Sequence, residues 1–117
     1  MKDNLIQTKS YGFALRIVKL YLFLVSKKKE FVLSKQILRC GTSIGANVEE
    51  AIGGQSRADF ASKIAIAYKE ARETHYWLRL LHDSKFLTSQ QFSSLLADCE
   101  ALIKIIGAIK KTTKSNS

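Results

Sequence analysis

The sequence predicts an all-α protein, an antiparallel up-down-up-down four-helix bundle. The 117 residues contain no proline, and a chain without proline is suited to long helices because proline interrupts them. Apolar side chains recur at spacings of three and four residues in four successive segments, whereas no segment alternates as a strand would. The connections between these segments span only a few residues, which makes consecutive helices antiparallel neighbours.

The first two predicted helices are joined by a lysine-rich connection. The first extends from about Thr8 to Lys28. Its apolar stripe has helical spacing and comprises Phe13, Ile17, Leu20 and Leu24. The second helix begins near Ser34, whose hydroxyl suits an N-cap, and continues to the helix-stop pair Gly53-Gly54.

The last two predicted helices each open with a capping signal. The third starts at Ser56, with Asp59 three residues later in the capping position. Its apolar face comprises Phe60, Ile64, Ala67, Ala71, Leu78 and Leu81. The fourth opens with the T-x-x-Q capping box of Thr88 and Gln91. Its apolar stripe comprises Phe92, Leu95, Cys99, Leu102, Ile106 and Ile109. We expect residues 1–112 to form one bundle domain and residues 113–117 to form a frayed polar tail.

The charge balance is strongly basic. Lys and Arg total 19 against 10 Asp and Glu, a formal net charge of +9. This excess favours nucleic acid, an anionic membrane surface or an acidic protein as a partner, without choosing among them. The longest uninterrupted apolar run, residues 20–25, is far shorter than the ~18 residues of a membrane-spanning helix. Because the polar N-terminus leads into no signal-type apolar stretch, we expect a cytoplasmic protein that does not enter membranes.

Two glycines interrupt the second helix. Gly41 and Gly45 are four residues apart and share one helix face. A mid-helix glycine costs about 1 kcal/mol relative to alanine, so a compensating gain is required. Tight packing against another helix, or a local bend, is favoured over a ligand site. Asn47 and Glu50 also share a face, and we expect them to join a structural polar network with partners such as Arg72 or an exposed backbone group.

The stretch RCGTSIGANVEEA at residues 39–51 is the most distinctive in the chain. Together with Ser56, Asp59, Phe60 and the segments KEARET (69–74), YWL (76–78) and LLHDS (80–84), it resembles the small "four helix bundle protein" family. Some members of that family are encoded inside intervening sequences of 23S rRNA genes. Many relatives read SIPSNIAEG in helix 2. The chain matches that motif at Ser43, Ile44, Asn47 and Glu50, and departs from it at Gly45 (proline), Glu49 (alanine) and Ala51 (glycine).

This resemblance implies a four-helix protomer, commonly assembled into a ring-like homopentamer, with no known catalytic residues. The sequence is also similar to the accessory protein of diversity-generating retroelements. That protein is a basic pentamer that binds nucleic acid and its partner reverse transcriptase. The resemblance therefore implies a homo-oligomer, with RNA or DNA and a reverse-transcriptase-like protein as candidate partners.

The third helix carries the best candidate binding face. Basic residues recur there at helical spacing around one aromatic residue: Lys69, Arg72, Tyr76 and Arg79. Such a face can neutralise phosphates and stack on a base. The alternative is an ordinary solvated face, since Glu70 and Glu73 lie close and Lys69–Glu73 is an i,i+4 pair. A similar, weaker stripe on helix 1 comprises Lys9, Arg16 and Lys19.

A second strip on the third helix is partly apolar. It comprises Ile66, Glu70, Glu73, Trp77 and Leu80. A helix that is apolar on two sides has more surface to bury than one bundle core provides. A small chain also gains stability by oligomerisation. We therefore predict a subunit interface along this strip.

No enzyme signature is present in the sequence. A di-iron bundle needs Glu-x-x-His on two helices, but Arg72 and Arg79 stand three residues before His75 and His82. There is no Gly-rich phosphate loop, and the two cysteines form no CxxC motif. We expect no catalytic residues, no metal site and no cofactor.

The predicted function is that of a non-enzymatic, basic, self-associating bundle that binds nucleic acid or a nucleic-acid-processing partner. The alternative is an oligomeric protein-interaction scaffold with no nucleic-acid role. A third reading, a bundle that lies on a membrane surface, rests on the apolar residues 20–25 beside the lysines at 27–29. It is less favoured because the same apolar residues are needed for the core.

Overall fold

The structure, a computed structural model, describes residues 4–115. These residues form four helices, α1 (Asn4–Ser26), α2 (Leu33–Ile52), α3 (Arg57–Asp83) and α4 (Ser89–Ser115), and residues 4–115 include no strand. Each helix packs against the next in sequence, and α4 closes the bundle against α1. The predicted four-helix bundle is confirmed.

One core runs through the bundle and receives fully buried side chains from every helix. Its largest members include Ile17 and Leu24 of α1, Ile37 and Ile44 of α2, Leu78 and Leu81 of α3, and Leu102 and Ile106 of α4. The predicted apolar faces of α3 and α4 point into this core. Phe60, Phe92 and Ile109, at the edges of those faces, are half-buried and pack against it.

The ends of the helices differ in part from the prediction. α1 begins at Asn4 rather than Thr8, because Ile6 continues the apolar spacing and is buried. α4 extends to Ser115, into the predicted tail. No glycine or proline interrupts its last turns, and the Thr113 hydroxyl donates a hydrogen bond to the Ile109 carbonyl, at 2.8 Å. Residues 116–117 of that tail lie outside the described residues.

The capping signals of α3 and α4 act as predicted. The Ser56 hydroxyl accepts a hydrogen bond from the Asp59 backbone N–H, at 3.0 Å. At the start of α4, the Gln91 N–H donates to Thr88 Oγ1 at 3.1 Å, and the Thr88 N–H donates to Gln91 Oε1 at 2.9 Å. This reciprocal pair satisfies two backbone donors that the helix itself leaves unpaired.

The predicted N-cap of α2 is wrong. Ser34 is buried inside the helix, and its hydroxyl donates to the Glu30 carbonyl at 2.8 Å. The Glu30 carboxylate caps the helix instead, accepting hydrogen bonds from the N–H groups of Val32, Leu33 and Ser34. Partial burial raises the pKa of the Glu30 carboxyl, but the hydrogen bonds from these backbone donors together lower it by more. The pKa therefore lies below its ordinary value. A carboxylate is well placed here because the helix N-terminus carries partial positive charge.

The two glycines of α2 lie against α1. A Cβ atom at Gly41 would stand 2.8 Å from Cγ1 of Ile17, and one at Gly45 would stand 3.3 Å from the Ser10 carbonyl oxygen. Both distances are shorter than ordinary van der Waals contact, so the absent side chains allow the two helices to approach closely. This contact supplies the gain that offsets the low helix propensity of glycine.

Of the two kinds of partner predicted for the polar residues of α2, Asn47 takes a backbone group, and neither residue pairs with Arg72. The Asn47 amide donates to the Ser43 carbonyl at 2.8 Å, within the same helix. Glu50 pairs with Lys63 of α3 at 2.9 Å. Antiparallel packing brings the end of α2 against the start of α3, which places Lys63 within reach of Glu50 and Arg72 farther along the helix.

We expect substitutions at Gly45 to destabilise the bundle. Gly45→Leu should lower the free energy of unfolding by about 1–3 kcal/mol through overpacking, and Gly45→Ala should lower it by less. Gly12, which is exposed with nothing within 4 Å of an added Cβ, provides the control. Gly12→Ala should raise stability by up to about 1 kcal/mol because helix propensity alone acts there. Urea unfolding at one fixed protein concentration measures all three, and a stabilised Gly45→Ala variant would contradict the packing role.

The two cysteines should make stability fall in alkaline solution. Burial raises the pKa of Cys40 to about 11 and that of Cys99 to about 12, from an ordinary value of 9.0. The two thiols contribute fully to the free energy of unfolding below pH 9, where they are protonated in both the folded and the unfolded state. This contribution declines as pH rises because the unfolded chain loses its thiol protons first. The free energy of unfolding, measured against pH, should therefore fall less steeply above pH 9 in Cys99→Ala than in the wild type. Equal slopes would contradict this account.

Candidate nucleic-acid interface

The predicted binding residues of α3 lie together on its solvent side. Lys69, Arg72, Tyr76 and Arg79 are all exposed. Ala71 and Leu78, on the opposite side of the helix, are fully buried in the core. The helical repeat of 3.6 residues brings side chains at these spacings onto one face.

The fourth helix adds a cation that the sequence analysis did not assign to this face. A shallow groove between α3 and α4 is lined by Arg72, His75, Arg79, Glu100, Ile103 and Lys104. Lys104 therefore stands across the groove from Arg72 and Arg79. We call the set Lys69, Arg72, Tyr76, Arg79 and Lys104 the basic face. Only the register of α4 on α3 reveals that Lys104 belongs to it.

The carboxylates near the basic face are engaged elsewhere. Arg39 of α2 donates to Glu70 at 3.1 Å and to Glu73 at 2.6 Å, and the Trp77 indole N–H donates to Glu73 at 3.1 Å. The hydrogen bond from Arg39 is the largest cause that lowers the pKa of Glu73, and the indole adds to it. Glu73 therefore forms its direct ion pair with Arg39, and Lys69 lowers the pKa of Glu73 only through a weaker Coulombic attraction.

The cations of the basic face are unpaired within the described part of the chain. Lys69, Arg72, Arg79 and Lys104 form no ion pair with a described side chain. The one carboxylate that lines the groove, Glu100, lies 3.1 Å from His75 Nε2. The basic face therefore presents four positive charges to solvent.

Tyr76 is held at the edge of this cluster. Its ring is half-exposed and meets the ring of Trp77 edge-on, with 5.1 Å between centroids and an interplanar angle of 74°. The Arg79 guanidinium carbon lies 5.9 Å from the Tyr76 ring centroid, within the range of a cation–π interaction. These contacts orient an aromatic ring beside the cations.

The basic residues predicted on helix 1 are less available to a ligand than those of the basic face. Lys9 and Lys19 are exposed, but Arg16 joins α1 to α4. Its guanidinium donates to Asp98 Oδ2 at 2.6 Å and to Ser94 Oγ at 2.9 Å. Arg16 could contact a phosphate only by giving up these bonds.

The strip predicted as a subunit interface is partly covered within the protomer. Ile66, Glu70, Glu73, Trp77 and Leu80 are each half-buried. Arg39 bridges the two carboxylates of the strip, and Trp77 packs against the core.

A more exposed apolar surface lies on α1 and was not predicted. We call it the α1 stripe; its side chains and exposed fractions are Tyr11 (64%), Leu15 (50%), Val18 (39%) and Leu22 (57%). Their spacing of four, three and four residues places them on one face, turned away from the buried Ile17. The signal in the sequence was that apolar residues of this helix recur on two faces.

The described residues hold no group of three or more His, Cys, Asp or Glu side chains that could bind a metal ion. In residues 4–115, no helix has the length and apolar character needed to cross a membrane.

Comparison with known proteins identifies the family. Residues 2–108 match the model of a family described as 23S rRNA-intervening sequence protein. The chain belongs to the 23S rRNA-intervening sequence protein family. The resemblance found in the helix-2 motif is thereby confirmed. Among curated proteins, no match is found.

One solved structure is very similar to this chain. It is a protein of unknown function from the S23 ribosomal protein family of Bacteroides thetaiotaomicron VPI-5482. The two chains share 55% sequence identity and superpose with a TM-score of 0.92, over 95% of this chain and 99% of the other. This relative supports the fold, while an assignment of function depends on the geometry described above.

Proposed function

We propose that this chain is a non-enzymatic, self-associating bundle protein that binds nucleic acid through the basic face of α3 and α4. One observation carries the proposal. Four cations and an aromatic side chain share an exposed surface on which those cations have no ion-pair partner among the described residues. Unpaired cations at such a surface favour phosphate because binding releases the counterions condensed on the nucleic acid.

Self-association would strengthen this binding. Each protomer offers only a few phosphate contacts, which give weak binding alone. Identical subunits in one assembly present the basic face several times, and their contacts combine through effective concentration. The affinity should therefore depend on both the basic face and the assembly.

The α1 stripe supports self-association. Leu15 is 50% exposed and Leu22 is 57% exposed, although both are apolar residues in the middle of a helix. Side chains alternating at four and three residues are the pattern by which two helices pack along a shared seam. A second copy of this chain would cover the α1 stripe. The alternative contact is the strip on α3 that contains Trp77.

An oligomeric interaction scaffold is the second candidate function, since the α1 stripe is equally suited to one. In that case the positive charge serves only solubility. The two functions differ in whether the purified protein binds nucleic acid at low salt.

Charge reversal of the basic face should weaken nucleic-acid binding. Arg72→Glu combined with Arg79→Glu should reduce affinity for RNA or DNA by about tenfold or more, because two phosphate contacts become repulsions. Fluorescence anisotropy at two salt concentrations measures the change, and circular dichroism checks the helix content. Lys27→Glu combined with Lys28→Glu alters net charge equally in the first loop and should have a smaller effect.

The outcomes separate the candidate functions. Wild-type protein that binds neither RNA nor DNA at low salt would refute nucleic-acid binding and favour the scaffold. An unchanged affinity in the Arg72/Arg79 variant would move the site away from the basic face, with Lys27–Lys29 as the next region to test.

Light scattering should show self-association. We expect a mass several times the 13.1 kDa of one chain, and Leu15→Glu combined with Leu22→Glu should lower it because charges would be buried in the seam. Phe31→Glu, at an exposed loop aromatic outside the stripe, is the control and should leave the mass unchanged. Trp77→Ala tests the strip on α3. A wild-type monomer at micromolar concentration would rule out the assembly.

A further inference from the structure

We infer that the groove between α3 and α4 is a nucleotide site that selects unpaired nucleic acid, with a phosphate at Arg72, Arg79 and Lys104 and a base on Tyr76. This inference rests on the proposed function and specifies its ligand. Single-stranded RNA or DNA is the occupant, and duplex is the competing outcome in the test.

The phosphate position follows from the groove walls. Arg72 and Arg79 are about two helical turns apart on α3, and both line the groove together with Lys104 of α4. Guanidinium groups bind phosphate through paired N–H donors, and an ammonium adds a compact positive charge. Cations supplied by two helices can approach one anion from two sides, which a row of charges on a single helix cannot do.

The base position follows from the contact between Tyr76 and Arg79. The guanidinium of Arg79 lies 5.9 Å from the Tyr76 ring centroid and also lines the groove. A phosphate bound by Arg79 therefore has its nucleoside close to this ring. Trp77 supports the ring edge-on, which limits the motion of the half-exposed aromatic.

Selection for unpaired strands follows from the stacking. In a duplex, neighbouring base pairs cover both faces of each base, so a protein ring cannot stack without separating them. An unpaired base stacks on an aromatic side chain without that cost. Tyr76 should therefore contribute to single-strand binding and very little to duplex binding.

Glu100 provides an independent measure of the phosphate position. It is the single carboxylate that lines the groove, and it lies 3.1 Å from His75 Nε2 on α3. A negative charge beside a bound phosphate weakens binding, so its removal should tighten binding. A carboxylate distant from the phosphate would have only the small effect of total net charge.

The test measures affinity for a labelled single-stranded oligonucleotide of about ten nucleotides, within the range of known single-strand site sizes, and for a duplex of the same length. Tyr76→Ala should weaken single-strand binding by about 5- to 150-fold, the effect of losing one stacked base, and leave duplex binding nearly unchanged. Phe31→Ala is the matched control, since Phe31 is a similarly exposed aromatic beside the lysines of the first loop.

The carboxylate arm uses two variants that raise the net charge equally. Glu100→Gln should tighten single-strand binding several-fold. Glu50 does not line the groove and pairs with Lys63 at 2.9 Å, so Glu50→Gln should tighten binding less. Equal effects of these two variants would overturn the phosphate position.

The remaining outcomes distinguish this inference from the proposed function. If Tyr76→Ala has no effect, or affects single strand and duplex equally, while the Arg72/Arg79 reversal abolishes binding, the basic face binds nucleic acid but the nucleotide site is refuted. If the wild type binds no oligonucleotide, both proposals fail.

Discussion

The close approach of α1 to α2 at Gly41 and Gly45 is the contact on which the arrangement of the bundle depends. With no side chain at either glycine, Ile17 and the backbone at Ser10 lie directly on α2. This position buries one face of α1 completely and turns the opposite face, with the α1 stripe, to solvent. A helix held so close to one neighbour makes a more limited seam with α4, and Arg16 joins that seam through Asp98. The local cost of two glycines is thus offset by the packing of a whole helix.

The ion pairs between helices divide the surface by charge. Arg39 gathers two carboxylates at the α2–α3 contact, Lys63 holds Glu50 nearby, and Arg16 holds Asp98 at the α1–α4 seam. Exposed pairs of this kind contribute little to stability, about 0–1 kcal/mol each. The Arg39 pairs also have a spatial consequence, because they engage Glu70 and Glu73, the carboxylates of α3 next to the basic face. The cations of the basic face form no ion pair with a described side chain, so they would attract phosphate to the side formed by α3 and α4.

The basic face and the α1 stripe lie on different helices, and this separation has a consequence for function. Contacts between copies through α1 would leave α3 and α4 of each copy open to solvent. An assembly could therefore bind one nucleic-acid strand at several equivalent places, and weak individual contacts would give appreciable avidity. The same separation would allow the proposed assembly and the proposed nucleic-acid binding to be disrupted independently.

The sequence by itself determined the features that depend on residues three or four positions apart. Helical periodicity gave the four helices and their core faces, and the capping residues Ser56 and Thr88 were identified because their partners lie three residues away. The tertiary structure decided which competing partner each group takes. Glu73 had Lys69 one turn away, but the packing of α2 on α3 supplied Arg39, and the register of α4 added Lys104 to the basic face. The buried stripe of α1 was predicted from its spacing, whereas the close approach of that side to α2 became visible only in the contact at the two glycines. Sequence separation limits which local hydrogen bonds can form, whereas the rotation and register of a helix result from packing against all its neighbours at once.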